Sequence, residues 1–143
     1  MSVYGAEERS PAVQRFKDFC VAYSARDMEG VRSLFIETCV NIGTGHDEVR
    51  CGWQEMEEQL ERDYAQSKSV GIELVSITGY GVMWACGLMR PVIDGVTPPE
   101  WALLRWTIVV QQDQEAVWKI VHTHASAVSV EQEEGQSFPS AGA

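Results

Sequence analysis

Residues 101–126 read WALLRWTIVVQQDQEAVWKIVHTHAS, and their pattern decides the fold class. Two runs rich in β-branched and aromatic residues, 101–112 and 116–126, flank a short polar segment around Asp113, which is the pattern of two antiparallel strands and their turn. Working back, 70–79 and 81–94 are also strand-like, and the joins are short and contain Gly, Pro or Asp, as a meander requires. Before residue 69 the periodicity is helical. A first helix opens at Ser10-Pro11 with Val13, Phe16, Phe19, Cys20 and Tyr23 on one stripe, and a second follows Asp27, burying Met28, Val31, Leu34 and Phe35. Residues 38–43 alternate like a short strand, and Gly43 to Asp47 read as a loop. A third helix from Trp53 to Gln66 puts Trp53, Met56, Leu60, Asp63 and Tyr64 on one face and Glu55, Glu57, Glu58 and Glu61 on the other. Helices followed by strands predict an α+β domain, three N-terminal helices packed on a curved antiparallel sheet.

The 143 residues suit one domain, expected over 10–126 between a mobile N-terminus (1–9) and a flexible acidic tail (127–143). Hydrophobic residues at 45% and charged residues at 22% exclude a disordered chain. A formal charge of −10 repels phosphate backbones and anionic lipid, so neither nucleic acid nor membrane is an expected partner. No run approaches the ~20 apolar residues of a membrane helix, and MSVYGAEERS lacks the basic and apolar regions of a signal peptide, so the expected location is cytoplasmic. Cys20, Cys39, Cys51 and Cys86 stand far apart with no C-x-x-C, which reads as reduced, mostly buried thiols and no metal site. With no nucleophile elbow, phosphate loop or dinucleotide fingerprint either, no cofactor is implied.

The strand Trp118-Lys119-Ile120-Val121-His122-Thr123-His124-Ala125-Ser126 carries W-x-I-V-H-x-H-x-S. It resembles the closing strand of SnoaL-like proteins and of calcium/calmodulin-dependent kinase association domains, both in the NTF2-like superfamily. Ile42-Gly43-Thr44-Gly45, Glu48 and Gly52 resemble the strand, loop and helix start of the same group, and the order of elements fits over 10–126. The resemblance implies a cone-shaped scaffold that hosts isomerases, cyclases, dehydratases, transport factors and oligomerisation domains, so it names no substrate. Where the kinase domains turn arginines into their pocket, this chain has Leu88, Thr107 and Ala125.

Side chains alternate along a strand, and the resemblance implies which set looks into the cone. That set is Trp84, Cys86, Leu88 and Arg90; Leu103, Arg105, Thr107 and Val109; and Lys119, Val121, Thr123 and Ala125. If 88 lies opposite 107, then Arg90 lies opposite Arg105. Two like charges side by side ask for an anion, either a ligand's or a carboxylate such as Asp63 or Glu100. Asp63 is the candidate general base if its carboxyl is buried among apolar groups, and a plain arginine partner otherwise. Trp53 and Tyr64 read as core or pocket wall. The other parity gathers Leu104, Trp106, Ile108, Trp118, Ile120, His122 and His124 on an outer face with no helix to cover it, which predicts a homodimer interface with the histidines in it. The expected function is binding of a compact, anionic organic molecule, as a cofactor-independent isomerase, cyclase or dehydratase. The alternative is a non-catalytic dimerisation or ligand-sensing domain.

Overall fold

The hydroxyl of Ser10 accepts the Val13 N–H at 3.2 Å and so caps α1 (Pro11–Ser24), while Pro11 brings a pre-set φ to its first turn. The computed structural model describes residues 7–99 and 102–139. The expected stripe of α1 is buried. Arg26, at φ 56°, turns the chain into α2 (Met28–Leu34), and its guanidinium donates to the carbonyls of Tyr64 and Ser67 at 2.9 and 2.8 Å. Phe35 leaves the helix to open β1 (Phe35–Ile42), three residues before the alternating pattern begins. A three-residue strand too short to show a period, β2 (Val49–Cys51), returns antiparallel to it. Gly52, at φ 88°, leads into α3 (Trp53–Ala65).

The meander consists of β3 (Val70–Tyr80), β4 (Trp84–Ile93), β5 (Leu104–Gln112) and β6 (Trp118–Ser126). The sheet order is β2-β1-β6-β5-β4-β3, antiparallel except where β1 runs parallel to β6, so the sheet stays open at β2 and β3. Residues 127–139 carry turns but neither helix nor strand. Positions 1–6 and 140–143 of the expected tails, and Glu100 and Trp101, lie outside the described residues.

The face of the sheet that meets the helices is the opposite of the one expected on β4 and β5. Ala85 and Met89 on β4, and Trp106, Ile108 and Val110 on β5, are buried. Trp106 packs against Phe16 and Phe19 with ring centroids 4.8 and 4.7 Å apart, and Phe19, Phe35 and Trp53 continue the aromatic chain at 5.7 Å each. The physical choice is plain. One parity of β5 offers Leu104, Trp106, Ile108 and Val110, the other Arg105, Thr107, Val109 and Gln111. Burying the second would sink a guanidinium and leave the tryptophan in water. Trp84, Cys86, Leu88, Arg90, Arg105 and Thr107 are therefore outward, and Trp84 is 46% exposed.

On β6 the parity changes midway. Val110 pairs with Ile120 and Val109 with His122, leaving Val121 as an extra residue. Ile120 is consequently buried and Trp118 packs on the core at one end, whereas Thr123 and Ala125 face inward at the other and His122 and His124 face out. The expected outer patch thus loses Leu104, Trp106, Ile108, Trp118 and Ile120 to the interior.

Candidate functional site

Gln59 is only 9% exposed and stands one helical turn before Asp63 on the stripe of α3 that faces the sheet. Its amide is used from every side. Nε2 donates to Asp63 Oδ1 at 2.8 Å and to Glu48 Oε1 at 3.2 Å. Oε1 accepts from Arg50 Nε and Nη2 at 3.0 and 2.9 Å and from Arg62 Nη2 at 3.2 Å. This pattern admits one orientation of the amide, since reversing it would aim NH₂ at two guanidinium groups. The second oxygen of Asp63 accepts the Tyr23 hydroxyl at 2.9 Å. Arg62 is turned away to Asp47 at 2.8 Å and Glu48 at 3.1 Å, so Asp63 has no arginine partner among the described residues.

Burial pushes the Asp63 carboxyl above its ordinary value, the hydrogen bonds from Gln59 and Tyr23 pull it back in part, and the Glu48 charge adds to the rise. Burial, and then the charge of Asp63, drive the Tyr23 phenol far upward, so it remains a neutral donor. The pair sets a carboxyl on the wall of a cavity beside a hydroxyl that stays protonated.

That cavity, of about 380 Å³, opens between α3, the end of α1 and the inner face of the sheet. It falls in the size range of small-molecule sites. Asp63, Gln59, Arg50, Glu48, Tyr23 and the Asn41–Thr123 pair (2.6 Å) form its polar side. Met56, Leu60, Met89, Leu104 and Trp106 supply much of the apolar side. The loop from Gly43 to Glu48 edges the cavity and is tied down by Glu48, whose carboxylate accepts the Gly45 N–H at 2.7 Å. A side chain at Gly43 would have its Cβ 2.5 Å from that carboxylate, so the tie depends on glycine there.

Of the residues expected to line the pocket, Asp63, Thr123 and Ala125 do so. Arg90 and Arg105 do not meet. Arg105 stands opposite Leu88 because Ile93 and Val96 close a tight turn of their own, through Asp94 and Gly95 at positive φ, which moves the register by two from the symmetric pairing. Arg90 pairs with Glu73 at 3.3 Å, and Arg105 donates to Ser126 Oγ and the Ala127 carbonyl at 3.1 and 3.0 Å, both on the outer face. Trp84, Leu88 and Thr107 are on that face as well. Trp53 packs under the Arg32 guanidinium, 5.0 Å from its ring centroid, and Tyr64 donates its hydroxyl to the Tyr23 carbonyl at 2.8 Å under Arg26; neither lines the cavity. Tyr23, Asn41, Arg50 and Gln59 were not anticipated as site residues. A signal existed for Gln59, four residues before Asp63 on the apolar face of α3, where a polar side chain needs a buried partner. Arg50 and Asn41 lie on the short β1–β2 hairpin, whose pairing no periodicity announces. Among the described residues no group of three or more His, Cys, Asp or Glu side chains is assembled to hold a metal.

Solved structures share this architecture at identities that establish fold alone. An NTF2-like protein of unknown function from Pseudomonas putida KT2440 superposes with a TM-score of 0.65 at 19% identity, covering 90% of this chain and 89% of its own. A ketosteroid isomerase-like protein from Erwinia carotovora atroseptica SCRI1043 gives 0.61 at 17% identity, covering 86% and 98%. A provisional calcium/calmodulin-dependent protein kinase type II association domain from Thiobacillus denitrificans ATCC 25259 gives 0.62 at 13% identity, covering 84% and 98%. No curated protein sequence matches. Residues 13–130 match the SnoaL-like domain family, from the first turn of α1 to beyond the end of β6. The chain, with its NTF2-like cone of helices and open sheet, belongs to the SnoaL-like domain family.

Proposed function

We propose that this protein binds a compact organic molecule in the cavity over Asp63 and transfers a proton within it, as a cofactor-independent isomerase, cyclase or dehydratase does. The observation that carries the reading is Asp63 itself, a carboxyl raised by burial, free of arginine and facing an apolar cavity. Ionised Asp63 would take a proton from carbon next to a carbonyl. The Tyr23 hydroxyl, 2.9 Å from the carboxylate, is placed to shift its hydrogen bond toward the oxyanion that develops.

The test is hydrogen–deuterium exchange at the α-carbon of compact ketones and 1,3-dicarbonyl compounds in D₂O, followed by ¹H NMR. The wild-type protein is expected to accelerate exchange for a subset of them, and Asp63→Asn to reduce that acceleration by about 10²-fold or more. Exchange undiminished by Asp63→Asn would overturn Asp63 as the base. Binding without exchange would leave the non-catalytic, ligand-sensing reading. A homodimer through the outer sheet face is part of the same proposal, supported by partly exposed Leu88, Thr107, Val109 and His122 and by exposed Trp84 and His124 on a face that no helix covers among the described residues.

A further inference from the structure

Arg50 carries a positive charge to the cavity wall, and its partner there is neutral. It stands opposite Asn41 in the β1–β2 pairing, on the sheet face that turns inward. Nε and Nη2 converge on Gln59 Oε1, which engages two of the five N–H donors of a guanidinium. Arg62 donates to the same oxygen but is also paired with Asp47 and Glu48. Arg50 makes no ion pair among the described residues. The neighbouring carboxylates are already engaged, Glu48 by Arg62, Gln59 and the Gly45 N–H, and Asp63 by Gln59 and Tyr23.

A charged group in a half-buried wall, short of an opposite charge, is stabilised by a ligand that brings one, and a planar guanidinium edge matches a carboxylate's two oxygens. The chain as a whole, at −10, repels anions. That field is screened beyond about 8 Å at physiological salt, so a local cation decides which small molecule enters. The arginine pair Arg90–Arg105 cannot serve this purpose, since both side chains are outside the cone.

Resting on the reading of the cavity as a small-molecule site, we infer that the ligand is a compact organic acid whose carboxylate is received by Arg50 while its apolar body lies against Trp106, Leu104 and Met89. Benzoate and its neutral counterpart benzamide, which carry the same ring, separate the charge from the shape. Each is titrated into ¹⁵N-labelled wild-type, Arg50→Gln and Arg50→Lys protein at pH 7.5, with the Trp106 indole N–H as reporter. Wild type is expected to hold benzoate at least about tenfold more tightly than benzamide. Arg50→Gln is expected to erase that preference by lowering benzoate affinity toward that of benzamide in the same variant, and Arg50→Lys to keep part of it. Benzamide bound as well as or better than benzoate by wild type, or a benzoate preference that survives Arg50→Gln, would overturn the carboxylate site and leave the cavity reading intact. Wild type binding neither probe at tens of millimolar would overturn both.

Discussion

Gln59 shows how one neutral side chain can hold Arg50 in register with two acids without joining it to either as an ion pair. Its amide separates Asp63 and Glu48 from Arg50, so the carboxyl of Asp63 answers chiefly to burial. The consequence is measurable in stability. A carboxyl raised in the folded state binds its proton more tightly there than in the unfolded chain, so its favourable contribution is fully present below the unfolded value of about 3.8 and is lost as pH rises through the folded value. Urea unfolding of wild type and Asp63→Asn across pH 3.5–8 should therefore show the difference moving in wild type's favour as pH falls. A difference that is flat, or that moves the other way, would mean that Asp63 is an ordinary solvated or ion-paired acid.

At the scale of the elements, the strands do more than the helices to set the site, because irregularities in two of them, β6 and β3, shape the sheet beneath it. The extra residue at Val121 lets one strand present Ile120 to the core and Thr123 to the cavity. Bulges in β3 bring it close over β4, and at Gly87 an added Cβ would lie 2.5 Å from the Ser76 carbonyl. Backbone, unlike the end of a long side chain, cannot step aside cheaply. Gly87→Ala is expected to cost about 1–3 kcal/mol of unfolding free energy by chemical denaturation, and an unchanged midpoint would show that β3 and β4 can part there without loss. The helices were the more legible elements. The caps at Ser10 and Asp27 and the stripe of α1 are local in origin, and the boundaries of α1 and α3 stand within a residue or two of those their periodicity predicts.

Over the whole molecule, one side of the sheet is filled by helices and the other is bare among the described residues, and that asymmetry is where a second copy is proposed to sit. Size-exclusion chromatography with light scattering is expected to give about twice the 15.9 kDa chain mass, and Leu88→Glu, a change on the outer face, to give the monomer. A wild-type chain that runs at 15.9 kDa would remove the dimer. By itself the sequence determined the order of the three helices and the five longer strands, the α+β class and the face of α3 that carries Asp63, because helix stripes, caps and strand alternation are local patterns with local causes. Only the tertiary structure decided which parity of β4 and β5 is buried, that Arg90 and Arg105 lie outside the cone, and that Arg50, Gln59 and Tyr23 meet around Asp63. A strand's two faces differ by a single step of register, and the aromatic side chains of α1, some ninety residues before β5, make that choice through the burial of Trp106.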